Sequence, residues 1–299
     1  MNVLNITDVY KSFGEKEVLK GLSVSVPENS IFGFVGKNGA GKTTTMKLAL
    51  GLMKRDSGEI EVCGERVKYG ETPTNRFVGY LPDVPEFYSF MTAREYLAFC
   101  GNITGMSDSD IKNRSEELLT LVGLEKEKGR VKGYSRGMKQ RLGIAQALLN
   151  RPKLLICDEP TSALDPVGRK EILDILSSVR EHTTVLFSTH ILSDIERICT
   201  DVAFVNDGKA EIQGKLADIK SKVRSEEYVL EAEIESDVIT LLNAFSDMRR
   251  VDEKKVAFCE NEATLFDLLG FVSEKRIRVS KLERLEPTLE TLFMEVVAN

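Results

Sequence analysis

Gly-Lys-Asn-Gly-Ala-Gly-Lys-Thr-Thr, residues 36–44, matches the phosphate-binding pattern G-x-x-x-x-G-K-[ST]. The apolar run at 31–35 predicts a buried strand before it, and residues 43–50 predict a helix after it, as the mechanism of the pattern requires. Glycines permit a tight turn whose backbone N–H groups face an anion at the positive end of the helix. The alternative is an ordinary glycine-rich turn before a helix. We predict phosphate binding by Gly36, Asn38, Gly39, Gly41, Lys42, Thr43 and Thr44, and Mg²⁺ ligation by the Thr43 hydroxyl.

Length and composition restrict the class of protein. A chain of 299 residues with 42% hydrophobic and 29% charged residues has room for about two soluble, core-forming domains. A net charge of −6 with interspersed signs argues against nucleic acid as the main partner. Five scattered cysteines without C-x-x-C spacing predict free thiols in a reducing compartment and no zinc site. Because neither a signal-peptide pattern nor a membrane-length apolar run is present, we expect a cytoplasmic chain.

The order of elements predicts an α/β core. Short β-like segments fill residues 4–31, and two more strands are expected at 59–63 and 77–81. The capping box at 92–95 opens a helical insertion over about 84–150. Apolar strands at 154–157 and 184–188 then alternate with helices, which indicates a mostly parallel sheet. Asp207-Gly208 between two β-like runs predicts a closing hairpin.

The remainder of the chain predicts a second, smaller domain. Residues 216–226 are charged and are predicted to be a linker between a first domain at 1–215 and a second at 227–299. In the second, predicted strands at 228–234, 256–259 and 277–282 alternate with predicted helices at 238–245, 264–269 and 289–297. This rhythm indicates a small α+β fold.

Two adjacent acids follow the apolar strand at 154–157. Carboxylates at the carboxyl end of a buried strand lie where open α/β sheets bind ligands. Adjacent strand residues point opposite ways, so the two acids are expected to have different roles. We predict that Asp158 holds Mg²⁺ and that Glu159 deprotonates the attacking water. The alternative is a strand end that carries two solvated acids.

One segment upstream of these acids identifies a family resemblance. Tyr-Ser-Arg-Gly-Met-Lys-Gln-Arg at 134–141 resembles the signature motif of the nucleotide-binding subunits of ATP-binding-cassette (ABC) transporters, in the same place relative to the acids. Ser135 and Gly137 match, whereas Tyr134, Arg136 and Met138 depart from the commoner Leu, Gly and Gln. A serine hydroxyl, a glycine N–H and a helix N-terminus form an anion site without its own lysine. The resemblance implies that this segment completes the ATP site of a second subunit.

Three further residues match motifs of the same family. Ser-Ala-Leu-Asp at 162–165 resembles the loop that crosses the dimer axis in relatives, which implicates Asp165. His190 after the apolar strand resembles the histidine that contacts the γ-phosphate. Phe13 aligns with the aromatic residue that stacks on adenine, with Tyr10 as the competing candidate.

Position 83 departs from the family. A glutamine is usual after the strand that precedes the helical insertion, and this chain has Asp83 there. An ionised carboxylate can bind Mg²⁺ or position water, but it cannot donate a hydrogen bond. We predict Asp83 as a metal ligand and expect the coupling of this loop to the transporter to differ in detail.

The resemblance implies a complete function. The implied fold is that of a phosphate-loop NTPase cassette with a mostly parallel core sheet, an antiparallel β subdomain and a helical insertion. The implied cofactors are ATP and Mg²⁺, and the implied partners are a second ATPase subunit, in a homodimer or heterodimer, and separate transmembrane permease subunits. The permease subunits would hold the chain at the cytoplasmic face of the membrane. Pro-Thr-Leu-Glu-Thr-Leu-Phe at 287–293 resembles the tail of subunits that serve the ABC-2 class of exporters.

Two other functional hypotheses are less well matched. A soluble ABC-family ATPase that acts on ribosomes or nucleic acid usually carries two cassettes, or a coiled coil that splits the cassette, and neither pattern is present here. A phosphate-loop kinase would leave the segment at 134–141 and His190 unexplained.

Overall fold

The computed structural model describes residues 1–70, 73–222, 227–259, 262–284 and 289. Contacts within the chain divide it into two compact units, one of residues 1–217 and one that begins at Asp218. Within the described ranges, no helix is long and apolar enough to cross a membrane.

The first unit alternates strands and helices. Its strands are β1 (Asn2–Phe13), β2 (Lys16–Pro27), β3 (Ile31–Val35), β4 (Ser57–Val62), β5 (Glu65–Arg66), β6 (Val78–Leu81), β7 (Leu154–Cys157), β8 (Thr184–Thr189), β9 (Asp201–Asn206) and β10 (Lys209–Lys215). Its helices are α1 (Lys42–Ala49), α2 (Ala93–Ile103), α3 (Asp108–Leu121), α4 (Arg136–Leu148), α5 (Pro166–Ser178) and α6 (Leu192–Ile198), and α7 (Leu216–Lys222) spans the boundary between the units. Two short 3₁₀ turns lie at Pro73–Phe77 and Val131–Gly133.

The central sheet confirms the predicted α/β core. Its strand order among the described residues is β10-β9-β3-β8-β7-β6, and only the β9–β10 pair is antiparallel. Every residue of β3, β7 and β8 is buried, as expected for parallel strands that are covered on both faces. The predicted hairpin is also present, because Asp207 and Gly208 both have positive φ between β9 and β10.

A second, antiparallel sheet has the order β2-β1-β4-β5 in the described chain. Its apolar side chains share one core with β3 and α1, including Ile6, Phe34 and Met46. The sequence predicted short strands over 4–31, whereas β1 and β2 each have 12 residues. The apolar alternation along β1 is interrupted because the register shifts around Val9, next to Asp8 with a φ of 47°. These bulges hide the length of the strand in the sequence.

The interval predicted to be helical, 84–150, contains α2, α3 and α4. Thr92 forms the predicted capping box with Glu95 at the start of α2. Helix α4 packs closely on β6, because a Cβ added at Gly79 would lie 2.1 Å from the carbonyl oxygen of Ala147. A Cβ added at Gly143 would lie 2.5 Å from Leu81 Cδ1 on the same interface. The two glycines therefore fix the helix that carries residues 136–148 against the edge of the central sheet.

The second unit contains β11 (Glu227–Ala232), α8 (Glu235–Ala244), β12 (Arg249–Arg250), β13 (Lys255–Cys259), α9 (Glu262–Lys275) and β14 (Val279–Arg284). Its described strands form an antiparallel sheet in the order β12-β13-β11-β14, which is a ferredoxin-like βαββαβ arrangement. Leu230, Val238 and Phe258 belong to its core. The predicted α+β rhythm is present, although β12 was not predicted because two arginines carry no strand signal. The interval predicted at 289–297 and the tail motif at 287–293 lie outside the described residues, except for Leu289.

The packing of β6 against α4 gives a stability prediction. We expect Gly79→Ala to lower the free energy of unfolding by about 1–3 kcal/mol, because its methyl group meets backbone atoms that cannot move away cheaply. Urea denaturation followed by circular dichroism measures this change. Gly133→Ala is the matched control, since a Cβ there meets no atom within 4 Å. Equal midpoints for the two variants would contradict the close approach.

Candidate functional site

The loop between β3 and α1 forms one wall of the site. Gly41 has a φ of 101°, and a Cβ there would lie 2.5 Å from Leu19 Cδ2. A Cβ on Gly36 would lie 2.4 Å from the carbonyl oxygen of Val205. Both positions therefore require glycine, one for its backbone conformation and both for space. The loop leads directly into the N-terminal turn of α1, where backbone N–H groups can bind an anion.

Lys42 places an ammonium group inside this loop. Its side chain is buried, and Nζ donates to the carbonyl oxygens of Gly36 at 2.6 Å and Lys37 at 3.3 Å. Nζ also lies 3.4 Å from Glu159 Oε1. These contacts offset the cost of removing the charge from water. They also hold the cation next to the N–H groups of the loop.

The predicted residues meet around a cavity of about 390 Å³. Its lining includes most of the predicted phosphate-binding and acidic residues: Asn38, Gly39, Gly41, Lys42, Thr43, Thr44, Asp83, Asp158 and Glu159. Lys16 and Val18 of β2 also line it and were missed, because nothing in the sequence indicates that this edge of the β1–β2 hairpin faces the loop. The two acids and Asp83 are brought to the loop by the parallel order of β6, β7 and β3 in the sheet.

The predicted adenine-stacking residue lies beside this cavity. Phe13 pairs with the lining residue Lys16 at the tip of the β1–β2 hairpin, and about half of its side chain is exposed. The alternative, Tyr10, lies further along β1, where it pairs with Lys20, and its ring lies against Gly21. The position of Phe13 favours it over Tyr10 as the residue next to the cavity.

The two adjacent acids face the same cavity, which differs from the prediction that they point opposite ways. Strand β7 ends at Cys157, and Glu159 has a φ of 46°, so the strand alternation does not continue through the pair. Ser188 of β8 connects them. Its hydroxyl donates to Asp158 Oδ1 at 2.7 Å and accepts from the backbone N–H of Glu159 at 2.9 Å. This buried serine orients both acids, and the sequence showed it only as a neighbour of His190.

Glu159 lies between two nitrogen groups. Its Oε2 is 2.9 Å from His190 Nδ1, and its Oε1 is at the ion-pair distance from Lys42 given above. Oε1 is buried and has no hydrogen-bond partner in the described part of the chain, because the approach of Lys42 lacks hydrogen-bond geometry. The carboxylate therefore keeps acceptor capacity for a ligand in the cavity.

Asp83 follows β6 and lines the cavity. Burial raises the pKa of its carboxyl, and the nearby Asp158 and Glu159 add to this shift, while Arg136 opposes it. The distance from Arg136 Nη2 to Asp83 Oδ1 is 3.4 Å. The backbone carbonyl of Asp83 accepts from the buried Gln140 side chain at 2.8 Å.

The residues predicted to hold a metal fit Mg²⁺. Thr43, Asp83 and Asp158 supply a hydroxyl and two carboxylates, which are the hard oxygen ligands that this ion prefers. The described residues contain no group of three or more His, Cys, Asp or Glu side chains that could hold a metal by themselves. A site with few protein ligands suits Mg²⁺, which usually binds to one or two protein carboxylates together with substrate phosphates.

Ser135, Gly137 and Asp165 lie outside the lining of the cavity. Ser135 caps α4 by accepting from the N–H of Met138 at 3.2 Å, and Asp165 caps α5 by accepting from the N–H of Gly168 at 2.8 Å. A Cβ added at Gly137 would meet only Leu164, at 3.9 Å. Ser135 and Asp165 therefore cap helices, and neither they nor Gly137 line the cavity of their own chain.

The buried carboxylate of Asp194 joins the segment after Glu159 to the segment after His190. Asp194 of α6 is buried, and it accepts from Thr161 Oγ1 at 2.7 Å and from Arg169 Nε at 2.7 Å. Hydrogen-bonded buried charges of this kind position backbone segments, and removal of one partner is destabilising. The sequence did not indicate this network, because its members come from three separate elements.

Comparison with known proteins shows which family this chain is similar to. Residues 19–162 match the family described as "ABC transporter". An uncharacterized ABC transporter ATP-binding protein of Bacillus subtilis, YxlF, is 44% identical over 229 residues, which are 76% of each chain. The bacitracin transport ATP-binding protein BcrA of Bacillus licheniformis is 42% identical over 210 residues, which are 69% of this chain and 68% of BcrA.

A solved structure shows the same fold. The ATP-binding subunit of an ABC transporter superposes with a TM-score of 0.65 at 31% identity, over 74% of this chain and 92% of that one. The predicted cassette fold is thereby confirmed.

The serine bridge between the acids gives a test of the site. We expect Ser188→Ala to lower kcat for ATP hydrolysis by at least about tenfold, because Asp158 loses a donor and the N–H of Glu159 loses its acceptor. Ser30→Ala is the matched control, since that buried hydroxyl donates to the carbonyl oxygen of Pro27 far from the cavity. Steady-state phosphate release and thermal denaturation are measured on both. Equal kcat values at equal stability would contradict the orienting role.

Proposed function

The chain belongs to the ATP-binding subunits of ABC transporters, and from that membership we propose that two subunits close around two ATP·Mg²⁺ and drive a change in separate transmembrane subunits. It hydrolyses ATP, as its family does. The observation that carries the proposal is that the cavity contains the loop and the acids, whereas Ser135 and Gly137 lie outside it. A second subunit can therefore supply what this cavity lacks.

Binding uses the loop and its surroundings. We propose that the backbone N–H groups of residues 36–44 hold the phosphates, with Lys42 exchanging its loop carbonyls for phosphate oxygens. Phe13 stacks on the adenine ring. Thr43, Asp158 and Asp83 would hold Mg²⁺, whose charge would offset the negative charge that develops on the phosphates.

Hydrolysis relies on Glu159. Its free acceptor capacity suits it to take a proton from the attacking water, as the water oxygen bonds to the γ-phosphorus and the bond to the β–γ bridging oxygen breaks. His190 lies against the same carboxylate, so we propose that it orients Glu159 and responds to the γ-phosphate. Ser188 fixes the backbone on which this carboxylate stands.

The second subunit completes each site. We propose that the hydroxyl of Ser135, the N–H of Gly137 and the start of α4 face the triphosphate bound by the partner, with the Asp165 loop at the dimer axis. ATP then joins the two subunits, and hydrolysis releases them. This cycle is a bistable element of the kind that can drive alternating access.

A group of exposed aromatic residues supports docking on a membrane partner. Tyr88 and Phe90 lie between β6 and α2 with half or more of each side chain exposed, and Tyr88 packs edge-on against Phe99. Contiguous exposed apolar groups mark interfaces in many proteins. We propose that a permease binds here, close to Asp83, and holds the chain at the cytoplasmic face of the membrane. The similarity to a bacitracin transport protein and the ABC-2-like tail favour export.

The role of Glu159 gives the test of this proposal. We expect Glu159→Gln to abolish turnover, to retain ATP and to accumulate a closed dimer, because an amide cannot accept the proton from water. Phosphate release and analytical ultracentrifugation with ATP·Mg²⁺ measure these outcomes. Glu181→Gln is the control, since it removes an exposed carboxylate outside the cavity. Hydrolysis at the wild-type rate would exclude Glu159 as the base.

A further inference from the structure

Within one chain, an ion pair joins a residue of the nucleotide cavity to a residue of the segment proposed to face the partner's nucleotide. Asp83 lines the nucleotide cavity, and Arg136 stands between Ser135 and Gly137 in the segment proposed to face the partner's nucleotide. Their side chains lie 3.4 Å apart. The contact therefore connects a chain's own ATP site to its contribution to the other site.

This ion pair is easily broken. The side chains of Arg136 and Asp83 are 44% and 47% exposed, and exposed pairs of this kind contribute about 0–1 kcal/mol. Its role is therefore not stability. An anion of higher charge at the surface of α4 can displace the carboxylate at little cost.

A second contact of Asp83 is made by a buried side chain, unlike the exposed ion pair. Gln140 is completely buried, and its side-chain N–H donates to the backbone carbonyl of Asp83 at 2.8 Å. The close approach at Gly79 and Gly143 holds β6 against the same helix. The backbone at position 83 is therefore fixed to α4, while the partner of its carboxylate is free to change.

The charges around Asp83 explain why it pairs with Arg136. Asp158 and Glu159 face it from the end of β7, and Lys139 shares with it and Arg136 a small cavity beside α4. Among the charges that act on its carboxyl, Arg136 is the one that favours the ionised form. The surface beside Arg136 is open to a second molecule, because the next residue, Gly137, has no side chain.

We propose that Arg136 exchanges anions: it pairs with Asp83 in the separate subunit and moves to the triphosphate held by the partner when the dimer closes. The inference rests on the proposed function, in which Ser135 and Gly137 face that triphosphate. A guanidinium binds phosphate oxygens through two parallel hydrogen bonds, and a triphosphate carries more charge than one carboxylate. The move uncovers Asp83 towards its own Mg²⁺ site, so each site becomes complete only when the other holds ATP.

The test measures dimer formation in the Glu159→Gln background. Dimer dissociation constants are determined by analytical ultracentrifugation at ATP·Mg²⁺ concentrations that saturate each separate subunit. We expect Arg136→Gln to weaken the dimer at least about tenfold, since it removes a charged hydrogen-bond donor to phosphate. Asp83→Asn should weaken the dimer less than Arg136→Gln does, because it releases Arg136 for the partner's triphosphate, while saturating Mg²⁺ offsets the loss of one proposed metal ligand. The double variant should match Arg136→Gln alone.

If Arg136 and Asp83 stay paired in the dimer, the dissociation constants of the variants follow a different pattern. In that case both single variants disturb the same contact and weaken the dimer equally, which would overturn the exchange. Lys139→Gln is the matched control, because it removes a positive charge from the same turn of α4, and it should change the dissociation constant less than about twofold. Thermal midpoints close to that of the parent confirm folding, as expected for an exposed pair.

The outcomes separate this inference from the proposed function. If Glu159→Gln alone does not dimerise with ATP·Mg²⁺, the proposed function fails and the exchange fails with it. If that parent dimerises and Arg136→Gln does so equally well, only the exchange is overturned.

Discussion

The balance of charge around the nucleotide cavity governs this molecule. Lys16 and Lys42 border the cavity together with Asp83, Asp158 and Glu159. A triphosphate that enters this cavity brings further negative charge. The loop N–H groups, the start of α1 and Mg²⁺ must offset that charge together. The position of Lys42, held by loop carbonyls and close to Glu159, is the part of this balance that the chain supplies before any ligand binds. The glycines of the loop and the buried Ser188 are required because they bring these charges within a few ångströms of each other.

The same balance explains why, in the proposed dimer, one chain forms half of each site. Its own cavity carries three acids and two lysines, and a further cation there would compete with Mg²⁺. The segment at 135–137 instead offers a hydroxyl, an N–H and a helix start at the outer surface. Arg136 adds a positive charge to that segment, and its ion pair with Asp83 balances this charge within the chain. In the proposed dimer, the two sites are therefore linked through α4 and not only through the shared interface.

Much of the fold was predictable from local patterns. The strands at 31–35 and 154–157 have the predicted boundaries because parallel buried strands are continuous apolar runs, and Thr92 and Asp165 begin helices as capping rules predict. The full length of β1 was not predictable, because its bulges interrupt the alternation. The short strand β12 gave no signal, since its pairing with β13 is set by the surrounding fold.

Most residues that line the cavity were predictable from the sequence, whereas the geometry of the cavity was not. Motif spacing indicated Lys42, Asp158, Glu159 and His190, but the positive φ that turns Glu159 towards the cavity depends on the structure around it. Ser188, Gln140 and Asp194 act through contacts with residues more than 25 positions away, which no local pattern reveals. We propose that catalysis needs two subunits. Specific ATPase activity, measured over a dilution series, checks this dependence: we expect the activity per subunit to fall on dilution below the dimer dissociation constant, and a constant value would exclude it.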